Sequence, residues 1–310
     1  MKGVIPAMYA ESFEFNGIDS KDMDLYILNF DGFNNDGTGS VGDEITFTTT
    51  RAANSDRQNY HGYTRENVLK CNFQIGKNPC NTDTIELSRE ELAFIKSWLE
   101  RKDGYRFLRF FQKGYEDTYF YCQIHTEWIR IVGKIVGIEL SVTCNAPYGY
   151  SSIQGIDIKL NDGDSFTVFN DSDEQGAIEI DQVEIGVING TDCTITISNN
   201  LESVFSLGKN YVTKIEHCNA GEAIILNGLN HTINTDISKQ PLHTYGNIGE
   251  DFNYNYPRLI NISTSLPLDG YLSSNNNYHT YDENRINTFT VTGASCNVTF
   301  AYRTIRSVMP

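Results

Sequence analysis

Residues 37–42 read Gly-Thr-Gly-Ser-Val-Gly and match the glycine-rich pattern of dinucleotide-binding turns. In such sites the turn opens a helix whose N-terminus meets the pyrophosphate. Here the following residues, 44–48, alternate polar and apolar side chains as a strand does. The pattern therefore predicts a flexible hairpin loop, and it does not support a nucleotide cofactor.

Two clusters of carboxylates could supply oxygen ligands to a cation. Asp162 and Asp164 form one cluster, and Asp171, Asp173 and Glu174 form the other. Calcium requires six or more oxygens, and neither cluster has the spacing of a helix–loop–helix calcium site. Asp, Asn and Gly are also the residues that turns between strands require. We therefore predict two turns, with a cation site as the less favoured alternative, and assign no metal ligands.

The spacing of the six histidines does not predict catalysis. None of them forms an H-x-x-x-H pair, and the neighbours His217 and Cys218 would point to opposite sides of a strand. A nucleophile elbow and a Walker lysine are both absent from the sequence. A Cys–His pair brought together only in three dimensions stays open as a minor alternative. We predict that the protein is not an enzyme, with no catalytic or cofactor-binding residues, and binding residues are not assigned.

The seven cysteines are odd in number, contain no C-x-x-C pair, and place Cys144 on an apolar strand face. This usage is typical of a reduced protein made inside a cell. The N-terminus lacks an apolar run long enough for a signal peptide. No sequence window approaches the eighteen apolar residues of a membrane span, so we expect no membrane segment.

The overall composition bounds the possible functions. The chain has 310 residues, of which 39% are hydrophobic and 12% aromatic, which favours two packed domains. With 40 acidic and 24 basic residues, the formal net charge is −16. Such a surface repels phosphate backbones and anionic lipids, so we expect no sequence-specific nucleic-acid binding and no membrane partner. It is compatible with DNA passing nearby without adhering.

The first half of the chain combines strands with one helix. Ser88 and Glu91 form a capping box that begins an amphipathic helix predicted over residues 89–102. Residues 51–65 are polar and aromatic without a clear period, and we expect an exposed arm or long hairpin there. The stretch from Trp128 to Tyr150 is predicted to be the closing strand and exit linker of a first domain.

Beyond residue 150, short strands recur with Asp, Asn and Gly between them, which predicts an all-β sandwich or barrel. Residues 241–285, rich in Tyr and Asn, interrupt the pattern. The predicted strands are Ile156–Leu160, Ser165–Phe169, Ala177–Ile180, Val183–Ile188, Cys193–Ser198, segments at Phe205 and Ile215, a hairpin over 223–233, Asn287–Thr292 and Cys296–Arg303.

Aromatic side chains are the remaining candidates for binding. Trp98 and Trp128 could stack on sugars, but Trp98 shares the apolar stripe of the predicted helix and is assigned to the core. The Tyr-rich loop at 245–281 is the better candidate, because exposed Tyr offers contact area with a polar tip. The residues alone thus indicate a β-rich, two-domain binding or structural protein.

The order of these elements resembles the distal tail proteins (Dit) of long-tailed bacteriophages and prophages. The first half carries the resemblance in Phe13–Gly17, Cys71–Cys80, the capped helix ending Ser97–Leu99, Tyr105–Leu108, Gly137–Cys144 and Ala146–Tyr150. In the second half, Tyr256–Leu259, Asn287–Val291 and Val298–Arg303 are similar to the galectin-like sandwich that commonly follows in this family. The likeness spans nearly the whole chain and rests on the order of its segments.

The resemblance implies a mainly β fold with two domains. Residues 1–147 would form an α+β ring-forming domain, a β-sandwich with one helix and an extended arm. Residues 148–310 would form an all-β, galectin-like sandwich that serves as a scaffold.

The resemblance also implies a structural role in the virion, at the distal end of the tail, for a protein made in the bacterial host cytoplasm. A homohexameric ring would connect the tail tube protein to the tail-associated hub protein, with DNA passing through its centre. Its second domain would hold receptor-binding or side-fibre proteins. The alternative is a carbohydrate-binding module for host-surface adhesion, and a wall hydrolase is the least favoured function.

Overall fold

The computed structural model describes residues 10–30, 45–51, 58–65, 68–80, 84–206, 208, 211–236, 248–263 and 283–307. The chain divides into two compact units between Ser151 and Ser152, and from Arg306 onward it belongs to the first unit again. Strands dominate both units, so the mainly β fold predicted from the sequence is confirmed.

The first unit is built on one antiparallel sheet. Its strands are β1 (Phe13–Phe15), β2 (Ile18–Asp19), β3 (Leu25–Phe30), β4 (Ile45–Arg51), β5 (Gln58–Arg65), β6 (Lys70–Lys77), β7 (Arg106–Phe110), β8 (Tyr119–Ile131), β9 (Lys134–Cys144), β10 (Gly149–Tyr150) and, at the chain end, β22 (Ile305–Arg306). The main path of the sheet runs β2-β1-β7-β8-β9-β6-β3, with β10 and β22 off this path, and β4 pairs with β5 separately. Successive side chains of each strand point to opposite faces of the sheet, so one face can pack against a core.

Helix α1 (Arg89–Leu99) packs against this sheet. Its predicted capping box is present, because Ser88 Oγ accepts the Glu91 N–H at 3.2 Å and the Glu91 carboxylate accepts the Ser88 N–H at 2.7 Å. The predicted end at residue 102 is wrong. Glu100 leaves the helical conformation, and its carboxylate accepts hydrogen bonds from the N–H and hydroxyl of Thr126 on β8, which ends the helix three residues early.

Trp98 lies at the centre of the first core, as the sequence predicted, and is 3% exposed. Its indole stacks on the ring of Phe13 with centroids 5.6 Å apart, and its Nε1–H donates to the Phe15 carbonyl at 2.9 Å. Phe73 and Phe110 extend the aromatic cluster edge to face. Trp98 is thus enclosed, and it offers no platform for a sugar.

The stretch from Trp128 to Tyr150 is not a single strand. Trp128 belongs to β8, and a new strand begins at Lys134 after a two-residue turn. Val132 (φ 50°) and Gly133 (φ 82°) are both left-handed, as a type I′ hairpin requires. The turn escapes a search for periodicity because the apolar Val132 directly follows Ile131, at a position where a polar turn residue is usual. From residue 138 to 144 the predicted alternation holds.

The second unit consists of two larger sheets and a small one. Its strands are β11 (Gln154–Leu160), β12 (Ser165–Phe169), β13 (Gly176–Glu179), β14 (Gln182–Val187), β15 (Cys193–Asn199), β16 (Thr213–Cys218), β17 (Ala223–Asn227), β18 (Thr232–Asp236), β19 (Arg258–Asn261), β20 (Ile286–Thr292) and β21 (Cys296–Tyr302). The sheet orders are β11-β21-β14-β17-β18, β12-β20-β15-β16 and β13-β19. Most predicted strands are thus confirmed to within two residues at each end.

Two one-turn helices, α2 (Glu202–Phe205) and α3 (Ile248–Asp251), interrupt the strands of this unit. Phe205, predicted on a strand, is therefore helical. The two larger sheets face each other through aromatic side chains, with the rings of Phe166 and Phe289 each 5.0 Å from the ring of Phe300. Because the first two rings belong to one sheet and the third to the other, the unit is a β-sandwich.

Part of the Tyr- and Asn-rich excursion is a structural strand of this sandwich. Strand β19 pairs with β13, and the buried side chain of Asn287 holds it from within. The Asn287 carboxamide accepts the Ile260 N–H at 2.7 Å and donates to the Ile260 carbonyl at 2.9 Å. It also accepts a hydrogen bond from the Asn199 side chain at 2.7 Å. The Asn287 side-chain amide thus makes the hydrogen bonds to the Ile260 backbone that a neighbouring strand would otherwise make.

Candidate assembly surfaces

Strands β4 and β5 form an antiparallel hairpin apart from the main sheet. Within the described chain neither strand pairs with a third one. Residues 46–51 are all exposed, and the Phe47 side chain is 62% exposed. The long hairpin, one of the two forms predicted over residues 51–65, is confirmed for the described strands, and it begins earlier, at Ile45. A two-stranded hairpin is marginal alone, so this arm presents backbone edges that another chain can pair with or cover.

The far end of the β8–β9 hairpin exposes a second apolar surface. Trp128 and Ile131 are each 58% exposed, and Val132 at the turn is 96% exposed. The Arg130 guanidinium lies 4.1 Å above the Trp128 ring, a cation–π contact that holds the indole at the surface. We call residues 128–132 the hairpin tip. A cluster of exposed large apolar side chains makes this tip a candidate protein contact site.

A cavity of about 320 Å³ opens beside the first turns of α1. Its walls are mainly apolar, and Lys77 lies among them, bonded to Glu91 at 2.7 Å. This bond, together with the cap at Ser88, holds the pKa of the Glu91 carboxyl below its ordinary value. The lining side chains are those of Met23, Leu25, Lys77, Leu87, Glu90, Glu91, Phe94 and Ile95.

The first predicted carboxylate cluster forms a turn. Asp164 accepts hydrogen bonds from the N–H and side-chain amide of Asn161, at 2.8 and 2.9 Å. Asp162 accepts the Gly293 N–H at 2.7 Å. Turn formation therefore accounts for both carboxylates, as the sequence predicted. Across the described residues, no three His, Cys, Asp or Glu side chains are grouped so that they could hold a metal ion.

His217 and Cys218 differ in exposure, so they do not form one site. His217 is exposed and left-handed (φ 60°), while Cys218 is fully buried. The His217 Nδ1 lies 2.5 Å from a carboxylate oxygen of Asp192, and this hydrogen bond raises the pKa of His217. The hydrogen bond between His217 and Asp192 closes a surface turn.

The tyrosines of the Tyr-rich loop were predicted to be exposed. This prediction is confirmed for one described residue and wrong for another. Tyr254 is 68% exposed, but Tyr256 is 3% exposed and its ring stacks against His231 at 5.0 Å. The G-x-G-x-x-G residues, Gly37–Gly42, and the loop tyrosines Tyr245, Tyr271, Tyr278 and Tyr281 lie outside the described residues.

Arg258 ties α2 to β19. Its guanidinium bonds to both carboxylate oxygens of the buried Glu202, at 2.9 and 2.5 Å, and lies 3.7 Å above the Tyr211 ring. Because the Arg258 guanidinium contacts both the Glu202 carboxylate and the Tyr211 ring, these three side chains stabilise the fold of the second unit.

Charge is distributed unequally along the chain. Residues 1–150 carry 21 acidic and 16 basic side chains, whereas residues 151–310 carry 19 acidic and 8 basic ones. The excess of negative charge therefore lies mainly in the second half. None of the helices in the described ranges has the length and apolar character needed to cross a membrane.

Two antiparallel β units, a separate hairpin arm and an exposed apolar tip are features of a protein that assembles through its surfaces. Residues 8–146 match the family described as "Phage tail protein N-terminal domain", and residues 148–302 match "Phage tail C-terminal domain". The chain belongs to this family of phage tail proteins, and it is a component of the virion tail.

The fold is similar to a solved structure, that of the SPP1 Dit protein, described as "a Paradigm of Hub Adsorption Apparatus in Gram-positive Infecting Phages". The two chains are 11% identical, with a TM-score of 0.50, and the similarity covers 94% of this chain and 98% of the other. A search of curated proteins found no match. The Dit-like fold predicted from the order of the sequence segments is therefore confirmed.

Proposed function

We propose that the protein is a structural component of the tail tip, where six copies form a ring between the tail tube and the tail-associated hub. The observation that carries the proposal is the Dit-like fold over nearly the whole chain, within a family of phage tail proteins. The similar protein is described as part of a hub adsorption apparatus, and the proposal extends that role to this chain.

The arm supports assembly through the first unit. Its strands β4 and β5 have outer edges that no third strand of the described chain pairs with. A ring of identical subunits satisfies such edges by covering each one with the next copy, because head-to-tail contacts close when the rotation per subunit fits. The first domain, residues 1–147, would then form the ring, and residues 148–310 would form the peripheral domain.

The ring-forming half is itself net acidic, with 21 acidic and 16 basic side chains over residues 1–150, and this charge supports the passage of DNA through the ring. A bore with acidic walls repels phosphates, so DNA moves through it without adhering. Measured by filter binding, duplex DNA should therefore be retained poorly by assembled rings even in low salt. Tight retention that weakens steeply with added salt would instead indicate a basic bore and would contradict this part of the proposal.

The decisive experiment compares the wild-type chain with a variant in which residues 45–65 are replaced by a short Gly-Ser linker. Light scattering and negative-stain microscopy should show six-fold rings of wild-type protein, at six times 35.0 kDa, alone or on mixing with tube and hub proteins. The variant should keep its melting temperature and stay monomeric, because β4 and β5 pair only with each other among the described strands and residues 46–51 are exposed.

A matched control carries Glu184→Gln on an exposed strand position of the second unit, and it should assemble as the wild type does. Wild-type protein that stays monomeric beside its tube and hub proteins would contradict the ring. Rings formed by the variant without its arm would move the ring contacts elsewhere in the first unit.

Through its second unit the protein is proposed to hold receptor-binding or side-fibre proteins. One row of the outer face of its five-stranded sheet runs through Asp157, Thr299, Glu184, Ile225 and Asn234. The side chains of this row include no aromatic ring on which a sugar could stack, which favours a scaffold over a carbohydrate-binding site at this face. A glycan array probed with the full chain should be blank, and specific binding of one glycan class would favour the module.

A further inference from the structure

All seven cysteines are free thiols, and three of them meet in the first core. Cys71, Cys122 and Cys144 lie on the neighbouring strands β6, β8 and β9. Cys122 and Cys144 face each other directly in the register of β8 and β9, and both are essentially fully buried. A buried cysteine packs like any small apolar side chain, and packing alone does not require two thiols to face each other.

The hydrogen bonds around this pair define its geometry. The Asn145 N–H donates to the Tyr121 carbonyl at 2.9 Å, so the pair next to the two cysteines is a hydrogen-bonded one. The N–H of Cys144 points the other way and donates to the Leu69 carbonyl at 2.9 Å. Because the two kinds of pair alternate along an antiparallel ladder, Cys122 and Cys144 form a non-hydrogen-bonded pair.

Such a pair brings its side chains closest together. Its Cα atoms lie about 4.5 Å apart, which is within the range of roughly 4.4–6.8 Å that a disulfide spans. Cys71 is placed less well, because it faces Val142 and is therefore only the diagonal neighbour of Cys144. Diagonal neighbours are separated by about 7–8 Å, beyond the reach of a disulfide without backbone movement.

A virion tail protein passes from one redox compartment to another. It folds in a reducing cytoplasm and then persists outside the cell, where disulfides form and endure. We propose that Cys122 and Cys144 are a covalent modification site, at which a low-molecular-weight disulfide oxidises the two thiols to a cross-strand disulfide after the particle has left the cell.

The reaction is a thiol–disulfide exchange in two steps. One cysteine thiolate attacks the small disulfide and releases one small thiol, leaving a mixed disulfide on the protein. The second cysteine then displaces the other small thiol, so two protein thiols become one protein disulfide and two small thiols are released. Burial raises the pKa of the Cys144 thiol to about 12 and that of Cys122 well above its ordinary value, so few thiolates form and the exchange is slow in the folded protein.

Slow oxidation suits a bond that closes after assembly. The disulfide would join β8 to β9 at the base of the hairpin that carries the exposed tip. It would also shorten the unfolded chain by closing the loop from residue 122 to 144, which raises the resistance of the first unit to unfolding.

The test uses the full-length wild-type protein, purified under reducing conditions and incubated with reduced and oxidised glutathione until the product distribution is constant. Denaturation, alkylation of the remaining thiols and peptide mapping by mass spectrometry then identify the bonds. The expected product is a peptide pair joined through Cys122 and Cys144, lighter by two hydrogens than the sum of its parts. The exposed Cys80 should react with glutathione more than about tenfold faster.

Control variants separate the pair from its neighbour. Cys71→Ser should leave the cross-link unchanged, whereas Cys122→Ala and Cys144→Ala should each abolish it. The wild-type peptide map decides the question alone if an alanine variant fails to fold. Cys122 and Cys144 that both stay reduced at constant product distribution would overturn the proposal, and so would a bond from either of them to Cys71.

Discussion

At the scale of single residues, the two tryptophans differ in exposure, and this difference decides their roles. Trp98 is enclosed and donates its indole N–H to the Phe15 carbonyl, while Trp128 lies mostly in solvent under Arg130. The sequence separates them only in part. The helical stripe assigns Trp98 to the core, but nothing local shows that Trp128 lies beyond the edge of the same core.

Trp98→Phe should destabilise the first unit by about 2–4 kcal/mol, because it leaves a cavity and removes the donor of the buried Phe15 carbonyl. The matched control, Trp128→Phe, should cost less than about 1 kcal/mol, since it loses only an exposed cation–π contact. Urea unfolding followed by the fluorescence of the remaining tryptophan measures both, because both residues report on the first unit. Equal losses in the two variants would contradict the assignment of Trp98 to the core.

Asp181 makes the stability of the second unit depend on pH. Burial raises the pKa of its carboxyl to about 6, although the Arg303 Nε–H donates to it at 2.9 Å and acts in the opposite direction. The unfolded carboxyl titrates near 3.9, so the folded unit holds the proton longer as pH rises. The stability due to protonated Asp181 is therefore full below about pH 4 and is lost as pH rises to about 6.

The comparison with Asp181→Asn isolates this effect, because the variant cannot titrate there. As pH rises from 4 to 7, the stability of the wild type should fall relative to the variant by roughly 2–3 kcal/mol. Hydrogen exchange of amides in the second unit, measured at each pH, gives the difference. A difference that changes in the opposite direction would show that Arg303, and not burial, dominates the pKa of Asp181.

At the scale of elements, short-range patterns predicted structure well, and contacts distant in sequence were not predictable. The capping box of α1 and the alternation of β9 from residue 138 depend on residues three or two apart, so the sequence shows them directly. The turn at Val132 was missed because an apolar residue stands where Asn or Gly is usual. The opposition of Cys122 and Cys144 depends on the register of two strands, which that turn and the one-residue shift between Ile129 and Arg130 set together.

The anchoring of β19 is another long-range feature, and a substitution of Asn287 tests it. Asn287→Ala should destabilise the second unit by about 3 kcal/mol or more, because it removes partners from the buried N–H and carbonyl of Ile260. The matched control is Asn200→Ala. Asn200 also bridges backbone groups, at Ile286 and Thr288, but in exposed surroundings where water can replace it, so about 1 kcal/mol or less is expected.

Hydrogen exchange distinguishes these two outcomes. In Asn287→Ala the amides of β13 and β19 should lose protection first, because they form the small sheet that the carboxamide holds. Protection that falls evenly over all strands of the second unit would mean that Asn287 supports the sandwich as a whole.

At the scale of the whole molecule, the features suited to assembly lie in one unit and most of the negative charge lies in the other. The arm, the hairpin tip and the cavity beside α1 all belong to the first unit. Residues 151–310 contribute 19 of the acidic and only 8 of the basic side chains. This separation agrees with one unit that builds a ring and another that faces peripheral partners.

Residues 1–151, produced without the rest of the chain, should therefore form rings of the same symmetry as the full-length protein, while residues 152–305 should stay monomeric. Losing the chain end removes the pairing of β22 with β10 and the ion pair of Arg306 with the largely exposed Asp117 carboxylate, at 3.5 Å, but leaves the main path of the sheet intact. Light scattering and electron microscopy measure assembly, and circular dichroism confirms that each fragment is folded. The same fragment with its arm replaced by a Gly-Ser linker is the matched control and should be a folded monomer. A folded 1–151 fragment that stays monomeric while the full chain forms rings would place the ring contacts in the second unit.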